Sequence, residues 1–524
     1  MPIGPKHTRG SQIFMDKKWI LPACCIAAFL GLSLDTNSSF AQKPQKRGAR
    51  FALQPAVETG PPESSGGDLW ALTESELFNG ALHRISIRMN QAVWERLHED
   101  DKRNECREAA HAGWAHVRDF TFNDVTMKNV AIKVRDNNSR CVPRLQFSVS
   151  FDRAKGVYTR QGTEDWYEVN YDEQTGAAIK GRSLHGLQEL GLRRSYNDSS
   201  SEYDSGNGML AREFVATWAS ARTEDIARTT LRGPPTYRTA YALVEFQFCA
   251  NDADNTCNNR IVRTYLIAEP LDRGFFKMRY DDEKPTFFSM IRGCALKPEK
   301  GNDGFTYRCL EPKYMDGIKT DEANAEDLLK AMARINGTEG LKTRLDAAAS
   351  PSELDKVLDL DSIMNYAAFA TTAGHWNSAY GNFNNDVLYF HPPSGKWKLI
   401  ASDMDDTFDY DGAGGTARSY SYAEVANAPR ILFDELFDTP ELDAKFRKHL
   451  GKYLTALYGS NDSNSPLRNK ILDARDRYII KTNDELPSTE QQNIERAKEM
   501  IDYAKQRVRV LRNQPRPAGS EDPN

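Results

Sequence analysis

Carboxylate and amide side chains gather at two places within one stretch of this sequence, residues 374–411. Two apolar segments of this stretch are flanked by six oxygen donors: Asn382, Asn384 and Asn385 before the first segment, and Asp403, Asp405 and Asp406 after the second. Oxygen donors of this kind bind Mg²⁺ and Ca²⁺ in proteins. Together the two groups would form a site for a divalent metal ion and, through the metal, for phosphate.

A β-hairpin is the element that would bring these groups together. The apolar segments, residues 387–390 and 397–401, are short, aromatic or branched, and separated by Pro392-Pro-Ser-Gly395. Such a pattern is typical of two strands and a turn. The open ends of a hairpin meet in space, so we expect the amides to face the carboxylates. A solvated acidic turn is the alternative, because asparagine and aspartate also favour turns for their own geometry.

Composition indicates a globular protein large enough for two lobes or two domains. The chain has 524 residues, a net charge of −5, 27% charged residues and 40% hydrophobic residues. Charges of both signs are mixed along the chain and no long basic block occurs, so we do not expect a nucleic-acid partner.

The first residues resemble an export signal. Lys17-Lys18 precede an apolar segment, and Ser39-Phe-Ala41 forms a small-x-small cleavage site before Gln42. We predict a cleavable signal peptide over residues 1–41, with Met15 as an alternative start. An uncleaved anchor is the alternative, but the apolar run is short for a bilayer. We therefore expect a periplasmic or secreted protein without a membrane span, with a flexible linker over residues 42–67, an ordered domain over 68–512 and a disordered tail over 513–524.

Six of the eight cysteines remain after cleavage of this signal, which is an even number in an export context. Turn-rich loops lie between Cys249 and Cys257 and between Cys294 and Cys309, so we expect these two disulfides, and Cys106 with Cys141 as the third. A zinc site is not favoured, because no close Cys or His pairs converge.

Periodicity divides the chain into a strand-rich N-terminal half and a mostly helical C-terminal half, an α+β fold. Strands are expected over residues 83–89, 125–134, 145–151, 240–248 and 262–269, with helices over 91–99 and 209–221. Later helices are expected over residues 361–371, 441–457 and 490–511. The last of these packs on its own domain, with a coiled-coil partner as the alternative.

Several motifs follow one another along the chain: Arg135-x-x-x-Ser139, Leu190-Gly-Leu-Arg-Arg194, Asn197-Asp-Ser199, Arg212-Glu213, the segment 265–276, Asn384-Asn385 and Asp403-x-Asp405-x-Thr-Phe408. Taken in this order, they resemble the CotH (spore coat protein H) kinase family across about residues 80–512. The resemblance implies a divergent two-lobed protein-kinase-like fold, with an N-lobe over about residues 80–270 and a C-lobe over about 271–512. It also implies transfer of the ATP γ-phosphate to Ser or Thr of a protein substrate, the chain itself included.

The resemblance also implies roles for single residues. Asp403 would hold the Mg²⁺ or Mn²⁺ that bridges the nucleotide phosphates, assisted by Asp405, and Asn384 or Asn385 would be a second ligand. Glu213 would pair with the cation that contacts phosphate. Arg144 is the first candidate for this cation, and Lys133 and Lys180 are the alternatives.

Two positions depart from the family pattern. Arg144 stands where relatives often have lysine, and a guanidinium is a planar fork rather than a point charge. Asn377 stands where relatives have aspartate, and an amide cannot accept a proton from a substrate hydroxyl. His375 is the candidate substitute. A catalytically inactive, adhesive relative with a metal site is therefore an alternative function.

Two functions outside the kinase class remain open from the sequence. The run Leu399-Ile-Ala-Ser-Asp-Met-Asp-Asp-Thr407 is similar to the first motif of haloacid-dehalogenase-type phosphatases, in which the first aspartate is the nucleophile. That fold needs alternating strands and helices, whereas helices follow here. The other alternative is an extracellular binding protein whose acidic hairpin holds structural Ca²⁺.

Overall fold

The computed structural model describes part of the chain. The described residues are 66–102, 114–135, 145–153, 155–160, 163–168, 181–193, 211–222, 236–250, 257, 259–290, 310–315, 318–319, 351–375, 378, 386–405, 407–408, 440–459, 464–479 and 487–512.

The strands of the first half form one large sheet. Their bounds are β1 Leu82–Asn90, β2 Ala115–Phe122, β3 Val125–Val134, β4 Phe147–Ser150, β5 Lys155–Arg160, β6 Thr163–Glu168, β7 Glu189–Arg193, β8 Thr239–Cys249 and β9 Asn259–Ala268. Seven of them close into a ring in the order β1-β8-β9-β7-β4-β3-β2, because β2 also pairs with β1. The β1–β8 pairing is parallel, and the β5–β6 hairpin joins the ring at the Val157–Ala115 pairing.

A first hydrophobic core fills the inside of this ring. Alternate strand residues point to the same face, and Ala242, Val244 and Phe246 of β8 are buried there. Helix α2, Gln91–Lys102, places the Trp94 indole against Phe246 and Phe248, with ring centroids 5.1 and 4.8 Å apart. The ring thus forms around its own core.

The other face of β8 and β9 belongs to a second core. Tyr265 and Ile267 of β9 lie in the first core, whereas Leu266 and Ala268 lie in the second. Helix α3, Ala211–Ser220, packs on this outer face through Phe214, whose ring lies 4.6 Å from that of Tyr241. The amphipathic pattern predicted this helix, and the two-faced strands explain its position.

A second sheet lies in the C-terminal half. It contains β10 Thr286–Met290, β11 Leu310–Met315, β12 Ile318–Lys319, β13 Val387–His391 and β14 Lys396–Ile400. The order is β12-β11-β10-β13-β14 and every pairing is antiparallel. The predicted hairpin is confirmed as β13 and β14, with Val387 opposite Ile400 and Gly395 at φ +63° in the turn.

The described residues form seven further helices. They are α1 Gly66–Glu76, α4 Arg273–Tyr280, α5 Pro351–Leu354, α6 Leu360–Ala373, α7 Pro440–Tyr453, α8 Pro466–Asp473 and α9 Pro487–Arg512, with π-helical turns after α7 and α8 at Leu454–Tyr458 and Ala474–Ile479. The buried residues in and just before α6 include Leu358, Ile363, Tyr366 and Phe369. Helix α9 buries Ala497, Ala504 and Val508 in the second core, so it packs on its own domain.

Helix α6 ends beside α9. Asp359 caps its N-terminus by accepting from the Ser362 N–H at 3.0 Å, and Gly374 ends it at φ +62°. A Cβ at Gly374 would overlap the Tyr503 hydroxyl, so only glycine fits. Arg507, fully buried on α9, donates from Nε and Nη2 to the Thr371 carbonyl at 2.9 and 2.7 Å. The end of α6, next to His375, is therefore firmly held.

The predicted α+β class is confirmed, and the two-lobed arrangement stays a prediction. The disulfide Cys249–Cys257 is present at the end of β8, whereas Cys106, Cys141, Cys294 and Cys309 lie outside the described residues. Among the helices that the structure describes, none is long and apolar enough to cross a membrane. The predicted signal peptide and tail also lie outside the described ranges.

Candidate active site

The loop after β14 carries the two aspartates of the predicted metal site. Asp403 is partly exposed and has φ +51°, a left-handed conformation that aspartate tolerates better than most residues. Asp405 is 7% exposed. Uncommon backbone angles of this kind persist where the surroundings hold them, and they cluster at functional sites.

Hydrogen bonds hold this loop on several sides. The Ser402 N–H donates to Asp386 Oδ1 at 2.9 Å, and the Thr236 hydroxyl donates to the Ala401 carbonyl at 2.8 Å. The Phe408 N–H donates to the Ala373 carbonyl at the end of α6 at 2.7 Å. The two aspartates are thus presented by a loop with little freedom.

A buried ion pair between β7 and α3 faces this loop. Arg193, the last residue of β7, donates from Nη1 to Glu213 Oε1 in the first turn of α3. Tyr237 also donates to Glu213 Oε1 and accepts from Arg193 Nη1 at 2.9 Å. Glu213 is 1% exposed, so the pair is held away from water.

The charges of the pair and of the loop act on one another. Burial lowers the pKa of Arg193, but the attraction of Glu213, Tyr237, Asp403 and Asp405 outweighs burial and holds this pKa above its ordinary value. Burial and the Glu213 charge raise the pKa of Tyr237, against the lowering effect of Arg193. Arg193 therefore stays charged and Tyr237 stays neutral at physiological pH.

A second guanidinium, Arg135, lies beside the pair. Burial and the neighbouring charge of Arg193 lower its pKa to about 10, and Glu213 and Asp403 act in the opposite direction. Arg135 Nη1 runs close to Gly191 on β7, where an added Cβ would come within 3.3 Å of it. Glycine in the Leu190-Gly-Leu-Arg motif thus makes room for this arginine.

The donor set suits a phosphate group and part of a metal shell. Arg193 Nε is buried and has no hydrogen-bond partner among the described residues, so it is an unsatisfied donor on the cation of the pair. Asp403 and Asp405 are hard oxygen donors of the type that Mg²⁺ and Mn²⁺ bind. Within the described ranges no three His, Cys, Asp or Glu side chains form a metal cluster, and the remaining predicted ligands, Asn384 and Asn385, lie outside those ranges.

The structure brings some of the predicted residues together and separates others. Asp403, Asp405 and Glu213 share one site. Lys133 does not pair with Glu213: its ammonium lies 5.0 Å from the centroid of the Trp114 ring, and the cation at Glu213 is Arg193. Lys133 points away because it alternates on β3 with the buried residues Ile132 and Val134. Arg144, Lys180 and Asn377 lie outside the described residues.

His375 lies beside Asp386. Its side chain is fully buried, Nε2 is 3.6 Å from Asp386 Oδ1, and both ring nitrogens lack a hydrogen-bond partner among the described residues. Asp386 also accepts from the Tyr366 hydroxyl. The catalytic role predicted for His375 stays a prediction.

Four residues of the site had no predicted role. Arg193 and Arg135 belong to motifs of the resemblance, and their place in those motifs was the sequence signal available for them. Tyr237 and Asp386 carried no local signal, because each acts through partners far along the chain. Asp386 directly follows Asn384 and Asn385, and the metal-binding role was predicted for those two asparagines.

The segment 265–276, one of the motifs of the resemblance, forms a separate structural network. Glu269 is fully buried and accepts from Arg238 Nη2 at 2.9 Å and from Arg279 Nη1 at 2.9 Å. Asp272 caps α4 by accepting from the Phe275 N–H at 3.1 Å. These residues connect the end of β9 to α4 and stabilise the fold.

The strand before Asp403 does not fit the phosphatase alternative. β14 pairs antiparallel with β13, and helices α7, α8 and α9 follow it among the described residues. The alternation of strands and helices that the haloacid-dehalogenase-type fold needs after this motif is absent from that part of the chain.

Comparison with known proteins agrees with the resemblance. A model of the CotH kinase protein family matches residues 264–511, which include Glu269, the Asp403 loop and α9 as far as Leu511. No curated protein matches the sequence. A solved structure described as the Golgi casein kinase matches at 8% identity and a TM-score of 0.26, covering 80% of this chain and 77% of that one. A likeness that low supports no argument about fold or function. The match confirms the predicted resemblance: residues 264–511 of this chain are similar to the CotH kinase protein family.

Proposed function

We propose that this chain is an exported atypical kinase that transfers the γ-phosphate of ATP to Ser or Thr hydroxyls of proteins, with Mg²⁺ or Mn²⁺. One observation carries the proposal: the buried Arg193–Glu213 pair, with an unsatisfied donor at Arg193 Nε, faces the Asp403–Asp405 loop. The family match supports a kinase-like protein. The two hydrophobic cores on either side of β8 and β9 support the two-lobed arrangement.

The proposed chemistry asks little covalent work of the protein. The acceptor oxygen forms a bond to the γ-phosphorus while the bond from that phosphorus to the bridging oxygen breaks, and ADP leaves. Arg193 and Arg135 hold the phosphate oxygens, and Glu213 orients Arg193. Asp403 and Asp405 would hold the metal ion, which when bound neutralises the phosphate charge. His375, next to Asp386, is the proposed acceptor of the hydroxyl proton.

Phosphate transfer tests this function directly. The purified chain is incubated with ATP labelled at the γ-phosphate, Mg²⁺ or Mn²⁺, and casein as a generic acceptor. We expect label on casein or on the chain itself, and its loss in Asp403→Asn. This substitution removes the charge, and asparagine tolerates the left-handed conformation.

Asp281→Asn is the matched control. Asp281 is exposed and also has positive φ, at +56°, as the C-cap of α4. The control should retain full transfer. Nucleotide binding without transfer in the native chain would instead indicate an inactive kinase. If the native chain neither binds nucleotide nor transfers phosphate, the result would favour the extracellular binding protein.

A further inference from the structure

Three consecutive residues before β8 connect separate parts of the molecule. Thr236 bonds to the Ala401 carbonyl at 2.8 Å and forms a parallel β-bridge with Ala401. Tyr237 contacts the Arg193–Glu213 pair, and Arg238 donates to Glu269. We call residues 236–238 the connector. It runs from the Asp403 loop, past the ion pair, to the structural network.

The hydroxyl of Tyr237 makes three contacts at the centre of the connector. It donates to Glu213 Oε1 and accepts from Arg193 Nη1 at 2.9 Å. It also lies 3.5 Å from the Met404 backbone nitrogen, at the outer limit of a hydrogen bond. The Arg193 guanidinium lies over its ring, 4.6 Å from the centroid. A phenol has one donor and two acceptor sites, so these contacts use all of them.

The third contact matters because of where Met404 lies. Met404 is between Asp403 and Asp405, so its N–H belongs to the backbone that sets the two carboxylates. The same oxygen therefore contacts the cation that would hold phosphate and the loop that would hold metal. Tyr237 is fully buried, so water does not substitute for either partner.

We propose that Tyr237 is a positioning residue that couples phosphate binding at Arg193 to metal binding at Asp403 and Asp405. The inference rests on the proposed function and extends it. A phosphate that draws Arg193 toward itself shifts the Tyr237 hydroxyl, and the hydroxyl shifts the Met404 N–H. Coupling of this kind is reciprocal, so bound metal also raises the affinity for phosphate through the same oxygen.

Calorimetry on the full chain tests this coupling with the imido analogue of ATP and Mn²⁺ as probes. The coupling factor is the Kd of the nucleotide without Mn²⁺ divided by its Kd with Mn²⁺. Direct metal–phosphate coordination contributes equally to the native chain and the variant. A change in the coupling factor therefore measures the part of the coupling that passes through the protein. We expect Tyr237→Phe to lower the factor roughly 5-fold or more, the lower range of coupling between sites.

Tyr265→Phe is the matched control. Tyr265 is equally buried, and its hydroxyl donates to the Leu145 carbonyl at 3.0 Å in the first core. Its loss should lower the melting temperature and leave the coupling factor within about 2-fold of the native value, because a uniform loss of stability does not move a ratio of affinities. An equal drop in both variants would overturn the inference.

The remaining outcomes separate the inference from the proposed function. If the native chain binds both probes and Tyr237→Phe keeps the full coupling factor, the inference fails and the function stands. If the native chain binds neither probe, both fail. Should Tyr237→Phe not fold, 3,5-difluorotyrosine at position 237 keeps the ring and weakens the oxygen as an acceptor. An unchanged factor with that residue would equally overturn the inference.

Discussion

Asp386 and Ser402 join the two open ends of the β13–β14 hairpin. Asp386 Oδ1, just before β13, accepts from the Ser402 N–H, just after β14, at 2.9 Å. The other carboxylate oxygen accepts from the Tyr366 hydroxyl of α6. The residue preceding Asp403 is therefore held by a fully buried carboxylate, and the predicted meeting of the hairpin ends is confirmed for the described residues.

Asp386→Ala should destabilise the protein and disturb the metal loop. It leaves the Ser402 N–H and the Tyr366 hydroxyl without this acceptor, at about 1–3 kcal/mol for each buried group. Tyr366→Phe removes one of the two bonds and should cost about 1 kcal/mol. Urea unfolding of both variants measures the difference. Equal stability of the two variants would show that the Ser402 bond contributes nothing.

Arg193→Lys should weaken nucleotide binding. Lysine keeps the charge but loses the planar guanidinium, which bonds to Glu213 through Nη1 and carries the unsatisfied donor Nε. One charge-assisted bond is worth about 1.5–3 kcal/mol, so we expect a loss of about 10-fold or more in affinity. Calorimetry with ATP measures it. The exposed Arg84→Lys is the control and should bind as the native chain does; an equal affinity of Arg193→Lys would contradict the assignment.

Gly191→Ala should displace Arg135. The added methyl would come 3.3 Å from both Arg135 Nη1 and the Ala268 carbonyl of the paired strand, and the side chain yields more easily than the strand. We expect a stability loss of about 1–3 kcal/mol from overpacking and several-fold weaker nucleotide binding. In contrast, Gly451→Ala on α7 meets nothing within 4 Å and should raise stability by about 0.5–1 kcal/mol. Unchanged nucleotide affinity in Gly191→Ala would exclude Arg135 from the phosphate site.

Glu269 should make stability depend on acid pH. Burial raises its pKa, but Arg238 and Arg279 outweigh burial and lower it from 4.5 to about 2. A carboxyl whose pKa is lowered in the folded state stabilises the protein at pH values above its pKa in the unfolded state. This contribution is lost as the pH falls through its pKa in the folded state. The contribution, on the order of 3 kcal/mol, should therefore fade between about pH 4.5 and pH 2.

Unfolding of Glu269→Gln across this pH range isolates that contribution. The variant should be less stable at pH 6, because two buried arginines lose the charge of the buried carboxylate between them, and its deficit should shrink toward pH 2. Glu74→Gln is the control, since Glu74 joins Arg238 at 3.0 Å but is half-exposed and should contribute at most about 1 kcal/mol. A deficit that does not change with pH would exclude Glu269 as the titrating group.

Local patterns were sufficient for the elements that carry the candidate metal site. The turn residues 392–395 and the apolar strands beside them predict the hairpin, because each signal lies within a few residues. The 3.6-residue period places Phe214 in a core, and the buried face of α9 follows from spacings of three and four. The family, too, was evident from motifs in order along the chain.

Partners distant in the chain were decided only by the tertiary structure. The sequence left Arg144, Lys133 and Lys180 as candidates for the cation at Glu213. Strand β7, placed between β4 and β9, brings Arg193 to Glu213 rather than Lys133, and Arg144 and Lys180 lie outside the described residues. Tyr237 meets Met404 across 167 positions because the connector runs beside the Asp403 loop. A short segment of sequence indicates which secondary structure that segment favours. It does not report which buried charge will satisfy another, because that depends on how sheets and helices pack.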